Sequence, residues 1–304
     1  MITISVQHVS KAFGKRRIVH DLSFEVKEGE VFGFLGPNGA GKTTTIRMMT
    51  GLVKPTSGRI RICGYDVQRD FRQAMRHMGS IVENPALYTY MSGRENLQLF
   101  ARMLGVGAER IDEVVRQVGL KERADDKVKT YSLGMRQRLG IAQALLGHPK
   151  VLILDEPTNG LDPSGMRELR AFIRRLADRQ GVTVFVSSHI LSEIEAMCDR
   201  VAIVSAGRLV HVASVQKRNT DEHCPTVWHL QPVEKAISVM QSHSDVNTVK
   251  RESDDTVKAG IPADKIAEVN RALLKAGVAV SGIEREKSSL EDWFMTLTGD
   301  DQVD

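Results

Sequence analysis

A glycine-rich pattern placed directly after an apolar run restricts the fold of this chain more than any other feature. The run Val31–Leu35 is followed by Gly36-Pro37-Asn38-Gly39-Ala40-Gly41-Lys42-Thr43-Thr44, which matches G-x-x-x-x-G-K-[ST]. In such a loop, backbone N–H groups and the positive end of the following helix bind phosphate oxygens. A chance glycine-rich turn is the alternative, and the strand–loop–helix setting disfavours it. The pattern therefore predicts a nucleotide-phosphate site on an α/β fold.

Each position of the loop has an expected chemical role. Lys42 would reach the β- and γ-phosphates, Thr43 would supply a hydroxyl to Mg²⁺, and Thr44 would bond near the α-phosphate. The glycines let the backbone approach the phosphates closely. The expected nucleotide-binding residues of the loop are Gly36, Asn38, Gly39, Ala40, Gly41, Lys42, Thr43 and Thr44.

A second motif consists of the apolar run Val151–Leu154 followed by Asp155 and Glu156. If this strand lies beside the phosphate-loop strand, Asp155 can hold Mg²⁺ through water while Glu156 orients or deprotonates an attacking water. Taken alone, the pattern also fits an acidic turn at a strand end. Together with the phosphate loop it predicts nucleotide hydrolysis.

Strand-like and helix-like segments alternate through the first two-thirds of the chain, which favours a mainly parallel central sheet. A different order, β-α-β-β-α-β, follows the turn at Ala206-Gly207, and it suits a small α+β domain of the ferredoxin-like kind. A terminal helix is predicted over Ser289–Leu297. We therefore expect a nucleotide-binding domain over 1–219 and a small accessory domain over 220–304.

The composition excludes a disordered or collagen-like protein. The 304 residues are 41% hydrophobic and 26% charged, which is typical of a globular protein. Apolar runs fall short of the ~18 residues of a spanning helix, and no secretory signal is visible, so we expect a cytoplasmic protein. Cys63, Cys198 and Cys224 show neither disulfide nor zinc spacing. Residues 1–219 carry 33 Lys and Arg against 22 Asp and Glu, and residues 220–304 carry 9 against 16.

Between the two motifs stands Tyr131-Ser132-Leu133-Gly134-Met135, followed by the helix-like Gly140–Leu146. With Pro157–Asp162 and Ser187-Ser188-His189 downstream, and Phe13 upstream, the chain resembles the ATP-binding cassette (ABC) ATPases over about residues 2–215. The resemblance implies a P-loop NTPase fold with a helical signature subdomain. The chain has Ser132 and Gly134 in common with the family's Leu-Ser-Gly-Gly-Gln signature, whereas Tyr131, Leu133 and Met135 depart from it.

The resemblance also implies roles for individual residues. Phe13 would stack on adenine, Asp162 would belong to the D-loop, and His189 would be the switch histidine. Ser132, Gly134 and Met135 would meet the ATP held by another subunit in a head-to-tail dimer. Each has a structural alternative: Phe13 as a core aromatic, His189 as a core or capping residue, and Ser132 as a helix N-cap.

Glu83, in Ile81-Val82-Glu83-Asn84-Pro85, stands where the family usually has the Q-loop glutamine that contacts Mg²⁺. With Ser-Leu-Gly-Met at 132–135, it resembles the exporter subgroup that includes bacitracin and lantibiotic self-protection ATPases. Glu193 and Glu195, after His189, are interpreted as helix surface.

The leading hypothesis is an ATP- and Mg²⁺-dependent ATPase subunit on the inner face of the cell membrane. It would power a separate polytopic permease, in the export of an antimicrobial peptide or drug. A second copy of the chain, or a related ATPase, would complete the dimer. The alternatives are a soluble ABC ATPase acting on nucleic acid or ribosomes, and a phosphate-loop kinase. The sequence contains only one phosphate loop, and it has no coiled-coil insert between Thr43 and Ser132. Both observations favour the transporter. The accessory domain could serve dimer contacts, regulation or docking.

Overall fold

The computed structural model describes residues 1–215 and 225–285. The chain divides into two compact units, Met1–Val215 and Gln216–Asp304. The helix predicted over Ser289–Leu297 and the thiol of Cys224 lie outside the described residues. Within those residues, no helix has the length and apolar character to span a bilayer.

A six-stranded sheet forms the centre of the first unit. Its strands, in spatial order, are β10 (Arg208–Ser214), β9 (Arg200–Ser205), β3 (Val31–Leu35), β8 (Thr183–Ser188), β7 (Val151–Leu154) and β6 (Met78–Ile81). All neighbours are parallel except the β9–β10 hairpin. β3, β7 and β8 are buried on both faces, which explains why β3, β7 and the centre of β8 are apolar without alternation. The predicted mainly parallel sheet is confirmed.

A second, antiparallel sheet packs on the first. It contains β2 (Arg16–Lys27), β1 (Ile2–Phe13), β4 (Ser57–Ile62) and β5 (Tyr65–Asp66), in that order. The core between the sheets includes four stacked or tilted rings with centroids 5.3–6.0 Å apart, from Phe24, Phe32, Phe34 and Phe185. Because this cluster joins β2, β3 and β8, it fixes the strands that lead into the phosphate loop and into His189.

Helices cover the central sheet and build a helical subdomain beside it. Those near the sheet are α1 (Lys42–Met49), α2 (Phe71–Arg76), α6 (Pro163–Gln180) and α7 (Leu191–Met197). The subdomain contains α3 (Gly93–Leu104), α4 (Ala108–Gln117) and α5 (Leu133–Leu145). A capping box of Ser92 and Glu95 begins α3. The guanidinium of Arg94 then bonds to Asp112 at 2.6 Å and Asp125 at 2.9 Å. These ion pairs tie α3 to α4 and to the segment leading into α5.

The second unit contains β11 (Pro225–Gln231), α8 (Val233–Gln241), β12 (Thr248–Arg251), β13 (Thr256–Gly260), α9 (Ile266–Lys275) and β14 (Ala279–Arg285). Its sheet has the order β12-β13-β11-β14, with every neighbouring pair antiparallel. The core centres on Trp228, which is fully buried together with Met240 and Leu273. This unit thus has its own hydrophobic core, and its strand order is that of a ferredoxin-like sheet.

Gly79 of β6 provides a test of how closely the helical subdomain packs on the sheet. A Cβ at this position would lie 2.2 Å from the carbonyl oxygen of Ala144 in α5, a backbone atom that cannot rotate away. We expect Gly79→Ala to lower the free energy of unfolding by about 1–3 kcal/mol, as overpacking does. Gly147→Ala is the matched control, because its nearest contact would be Leu104 at an ordinary 3.8 Å. Chemical denaturation with equal losses for both variants would contradict the close packing.

Candidate functional site

Three parallel strands end at one edge of the central sheet, and the predicted motifs follow them. The phosphate loop follows β3, Asp155 and Glu156 follow β7, and His189 follows β8. The carboxyl ends of parallel strands are where open α/β sheets bind ligands. The fold therefore brings together residues that are up to about 150 positions apart in sequence.

The backbone of the phosphate loop requires glycine at defined positions. Gly39 has φ 83° and Gly41 has φ 93°, both in the left-handed region, and Gly41 is the N-cap of α1. A Cβ on Gly36 would lie 2.4 Å from the carbonyl oxygen of Val204. The loop is thus held against β9 while Asn38 and Gly39 remain exposed at its tip, and Ala40 is buried beneath it. Thr43 and Thr44 lie partly buried in the first turn of α1.

Lys42 is buried and its ammonium group turns back across the loop. Its Nζ donates to the carbonyl oxygens of Gly36 at 2.7 Å and Pro37 at 3.1 Å. The same atom lies 3.3 Å from Oε1 of Glu156. With only about 4% of its side chain exposed, Lys42 is a buried cation whose partners are all oxygens. Phosphate oxygens are chemically equivalent partners for this group.

The carboxylate of Glu156 lies between two nitrogen-bearing groups. Its Oε1 faces Lys42, and its Oε2 lies 3.2 Å from Nδ1 of His189. The backbone of Glu156 has φ 45°, an unfavourable conformation for a residue with a Cβ. Strain of this kind is found where surrounding contacts hold a functional side chain in place. The structure thus brings Lys42 of the phosphate loop and His189 into contact with opposite oxygens of the Glu156 carboxylate.

Asp155 and Glu156 are both anchored by Ser187 at the end of β8. The buried hydroxyl of Ser187 donates to Oδ1 of Asp155 at 2.6 Å and accepts from the backbone N–H of Glu156 at 2.9 Å. In the sequence, Ser187 is recognisable only as part of the Ser187-Ser188-His189 motif, with no role of its own. A serine ending a buried strand needs hydrogen-bond partners, and this was the available signal.

A cleft of about 330 Å³ opens beside these groups. It is lined by Asn38, Thr43, Glu83, Asn84, Leu133, Gln137, Asp155, Glu156 and Asn159. The predicted metal-binding residues Thr43, Glu83 and Asp155 thus share one cleft and offer a hydroxyl and two carboxylates. These are oxygen ligands of the kind that Mg²⁺ takes together with phosphate oxygens and water, so the residues fit the ion. No cluster of three His, Cys, Asp or Glu side chains suited to a metal occurs among the described residues.

Glu83 has a partner that the sequence analysis missed. Its carboxylate forms an ion pair with the guanidinium of Arg47 on α1, the helix that begins at the phosphate loop. Glu83 also has a positive φ of 64°. Both side chains are partly exposed, so the pair is screened by solvent. Arg47 lies one helical turn after Thr43 and was inconspicuous in the sequence.

The signature segment begins α5. Ser132 is the exposed N-cap, and its hydroxyl accepts from the backbone N–H of Met135 at 3.3 Å. Tyr131 is buried, and burial raises the pKa of its phenol, so the hydroxyl stays protonated and donates to the carbonyl oxygen of Arg123 at 2.6 Å. Gly134 and Met135 are partly buried, and of this segment Leu133 lines the cleft.

Phe13 and Asp162 lie outside the described cleft lining. Phe13 is 52% exposed, which excludes a core position, and the ammonium of Lys11 lies 4.7 Å from its ring centroid. Asp162 is the exposed N-cap of α6, where its Oδ1 accepts from the backbone N–H of Gly165 at 3.1 Å.

Glu193 corrects the sequence analysis. It was interpreted as helix surface, yet it is only 3% exposed, whereas Glu195 is exposed. The oxygen Oε2 of Glu193 accepts from the hydroxyls of Thr158 and Ser188, which follow Glu156 and precede His189. On the short helix α7, a charged side chain at this spacing gave no sign that it pointed inward.

The fold and the cluster of Lys42, Glu156 and His189 define a P-loop ATPase, and comparison with known proteins narrows the class. The profile of the family described as "ABC transporter" matches residues 19–159. The ABC transporter ATP-binding protein YhcH of Bacillus subtilis is 48% identical over 298 residues, covering 98% of this chain and 96% of that protein. The bacitracin transport ATP-binding protein BcrA of Bacillus licheniformis is 41% identical, covering 97% of each chain.

A solved structure supports the same family. The solved structure of an ATP-binding subunit of an ABC transporter superposes with a TM-score of 0.64 at 30% identity, covering 71% of this chain and 92% of that one. The chain belongs to the family of ABC transporter ATP-binding proteins. The predicted P-loop fold and ATPase class are confirmed, and the similar proteins give no support to the nucleic-acid alternative.

Lys42 tests the phosphate loop. In Lys42→Ala the buried cation is removed, and Glu156 loses one of its two nitrogen partners. We expect nucleotide binding to be abolished, because the variant lacks the positive charge facing the phosphates. A titration with a fluorescent ATP analogue measures this, with Lys54→Ala, outside the loop, as the control. Wild-type affinity in Lys42→Ala would contradict the assignment.

A substitution at Glu156 tests whether this carboxylate acts as the general base in ATP hydrolysis. Glu156→Gln keeps the size of the side chain but removes the negative charge between Lys42 and His189. We expect ATP to bind normally and turnover to fall ~10²–10⁴-fold, as when a general base is lost. Release of inorganic phosphate measures turnover. Near-normal turnover would refute the role of Glu156.

Proposed function

We propose that this chain is the ATP-hydrolysing subunit of an exporter that removes peptide antibiotics from the membrane or the cell. The observation that carries the hydrolytic part is the Lys42–Glu156–His189 cluster at the carboxyl edge of the sheet. The transport part is supported by similarity over nearly the whole chain to a protein named for bacitracin transport. Glu83 in the Q-loop position agrees with the same subgroup.

In this proposal the residues of the cleft divide the work of hydrolysis. The phosphate loop, Gly36 to Thr44, and Lys42 in particular bind the phosphates. Thr43, Asp155 and Glu83 would hold Mg²⁺, which when bound neutralises phosphate charge. Glu156 accepts a proton from the attacking water, and His189, 3.2 Å from its carboxylate, orients Glu156 and stabilises the charge on the phosphate.

A second copy of the chain, or a related ATPase, completes the site in our proposal. Ser132 is exposed at the N-terminal end of α5, and Asp162 is exposed at the start of α6. A helix N-terminus with free N–H groups is suited to the γ-phosphate bound by a partner subunit. Phe13, whose ring is half-exposed, would stack on adenine. ATP would then close a head-to-tail dimer, and hydrolysis would reopen it.

A separate polytopic permease would carry the substrate, with this chain attached peripherally on the inner face of the membrane. The first test uses the full chain carrying Glu156→Gln, tagged and purified from detergent-solubilised native membranes in the presence of ATP. We expect one polytopic membrane protein to co-purify stoichiometrically, identified by mass spectrometry. Lys42→Ala with ATP is the matched control, and it should not gain the ATP-dependent part of this association. Recovery of ribosomal proteins or nucleic acid from the soluble fraction would contradict the proposal.

The substrate class has its own test. Cells expressing the chain with its co-purified permease should tolerate at least ~4-fold more of a cyclic or lanthionine-containing peptide antibiotic than cells expressing Glu156→Gln with the same permease. A difference in this direction is expected because Glu156→Gln lacks the turnover that would drive removal. Equal tolerance of both strains to every peptide, with ATPase activity intact, would overturn the substrate assignment while leaving the transporter assignment in place.

A further inference from the structure

Glu193 is a buried carboxylate for which the hydrolytic scheme above has no use. It lies on α7, is 3% exposed, and its two oxygens have different surroundings. Oε2 accepts two hydrogen bonds, whereas Oε1 has no hydrogen-bond partner among the described residues. Burying a carboxylate with incomplete pairing costs stability. A role limited to packing would be served better by an apolar side chain, so the charge calls for another explanation.

The two groups that bind Oε2 lie beside the catalytic cluster. The hydroxyl of Thr158 donates to it at 2.5 Å, and that of Ser188 donates at 2.9 Å. Thr158 stands two residues after Glu156, and Ser188 directly precedes His189. One oxygen of Glu193 therefore joins the segment that leaves the end of β7 to the segment that leaves the end of β8.

Ser188 extends this connection to the backbone beyond the histidine. Its oxygen accepts from the N–H of Ile190 at 2.9 Å while its proton is directed to Glu193. The turn that carries His189 is thereby bonded on both sides of the histidine. Since the Nδ1 of His189 lies 3.2 Å from Glu156, small movements of this turn change that contact directly.

The helix that carries Glu193 is itself held in place by close packing. A Cβ on Gly33 of β3 would lie 2.8 Å from Ile194 and 3.1 Å from the sulfur of Cys198. Burial raises the pKa of the Cys198 thiol well above its usual value, so it packs as an uncharged group. Because α7 rests directly on β3, Glu193 is fixed relative to the strand that leads into the phosphate loop.

We propose that Glu193 is a positioning residue for ATP hydrolysis. Its carboxylate bridges Thr158 and Ser188 and so fixes the separation of Glu156 and His189 relative to the phosphate loop. It does not touch the nucleotide. The inference rests on the roles proposed for Glu156 and His189, and it deepens them by naming what holds the pair together.

The central variants are Glu193→Gln and the pair Thr158→Val and Thr158→Ser. Glutamine keeps the shape of Glu193 but removes the charge that attracts two hydroxyls. Valine keeps the shape of threonine without the hydroxyl, and serine keeps the hydroxyl without the methyl. With the full chain, steady-state ATPase gives kcat and KM for MgATP, and thermal unfolding gives Tm.

We expect Glu193→Gln and Thr158→Val to lower kcat ~10–100-fold with KM within about twofold of wild type, because small misplacements of catalytic groups cost this much. Thr158→Ser should retain most of the wild-type kcat, because it keeps the hydroxyl that Thr158→Val lacks. The double variant Glu193→Gln/Thr158→Val should have the same kcat as Glu193→Gln alone, because both substitutions break the same connection.

Two controls separate positioning from general destabilisation. Glu195→Gln makes the same charge change on the exposed side of α7, and Thr183→Val removes a fully buried hydroxyl at the opposite end of β8. Both should keep kcat within about twofold, even if Thr183→Val lowers Tm. Should Glu193→Gln fail to fold, Ser188→Ala takes its place with the same expected loss.

The results that would overturn the proposal are equally defined. They are a wild-type kcat in Glu193→Gln or, if that variant fails to fold, in Ser188→Ala; equal kcat in the serine and valine variants of Thr158; or the same loss of kcat in Thr183→Val. Glu156→Gln keeps this failure distinct from that of the hydrolytic scheme. If Glu156→Gln is inactive while Glu193→Gln is normal, only the positioning role is lost. Normal turnover in Glu156→Gln removes the scheme itself.

Discussion

The carboxylate of Glu156 lies between Lys42 at 3.3 Å and His189 at 3.2 Å, and the rest of the first unit is arranged so that these three groups meet. Each follows a different strand of the parallel sheet. The register Leu35↔Ser188 between β3 and β8, and Leu154↔Val186 between β7 and β8, places the strand ends at one edge. A slip of one residue would turn every side chain to the opposite face and separate the groups. The buried apolar strands and the phenylalanine cluster between the sheets prevent that slip.

Local strain accompanies this arrangement. Glu83 and Glu156, two carboxylates that line the cleft, both have positive φ values, 64° and 45°. Such conformations cost of order 1–3 kcal/mol each and persist where neighbours hold them. Ser187 supplies part of that hold at Glu156, because its hydroxyl bonds to both the preceding side chain and the Glu156 N–H. The stable core of the two sheets thus supports a cleft whose backbone is locally unfavourable.

Features encoded by local patterns were predictable from the sequence, whereas features created by tertiary contacts were not. The phosphate loop, the Asp155–Glu156 strand end and the parallel sheet were predictable because glycine spacing and apolar runs are read over a few residues. Ser187, Arg47 and Glu193 were missed because each acts through a partner more than 30 positions away in sequence or through burial that its own neighbours do not indicate. Glu193 in particular is polar, helical and close to an exposed glutamate, and its burial is visible only from its contacts with Thr158 and Ser188 in the folded chain.

The pairing of Glu83 with Arg47 explains how a carboxylate is accommodated where the family usually has a neutral glutamine. A carboxylate alone would add negative charge next to the bound phosphates and repel them. Arg47 neutralises that charge from α1, one turn after Thr43, so the net charge at this corner of the cleft matches that of a glutamine. Because both side chains are partly exposed, solvent weakens their attraction, and either group can exchange its partner. Glu83 is therefore able to leave Arg47 for a divalent cation at little cost, whereas Asp155, buried and bonded to Ser187, stays fixed. In the proposed scheme, the two carboxylates that would hold Mg²⁺ therefore differ: Asp155 would be a fixed ligand, and Glu83 would be a ligand whose engagement depends on what else the cleft contains.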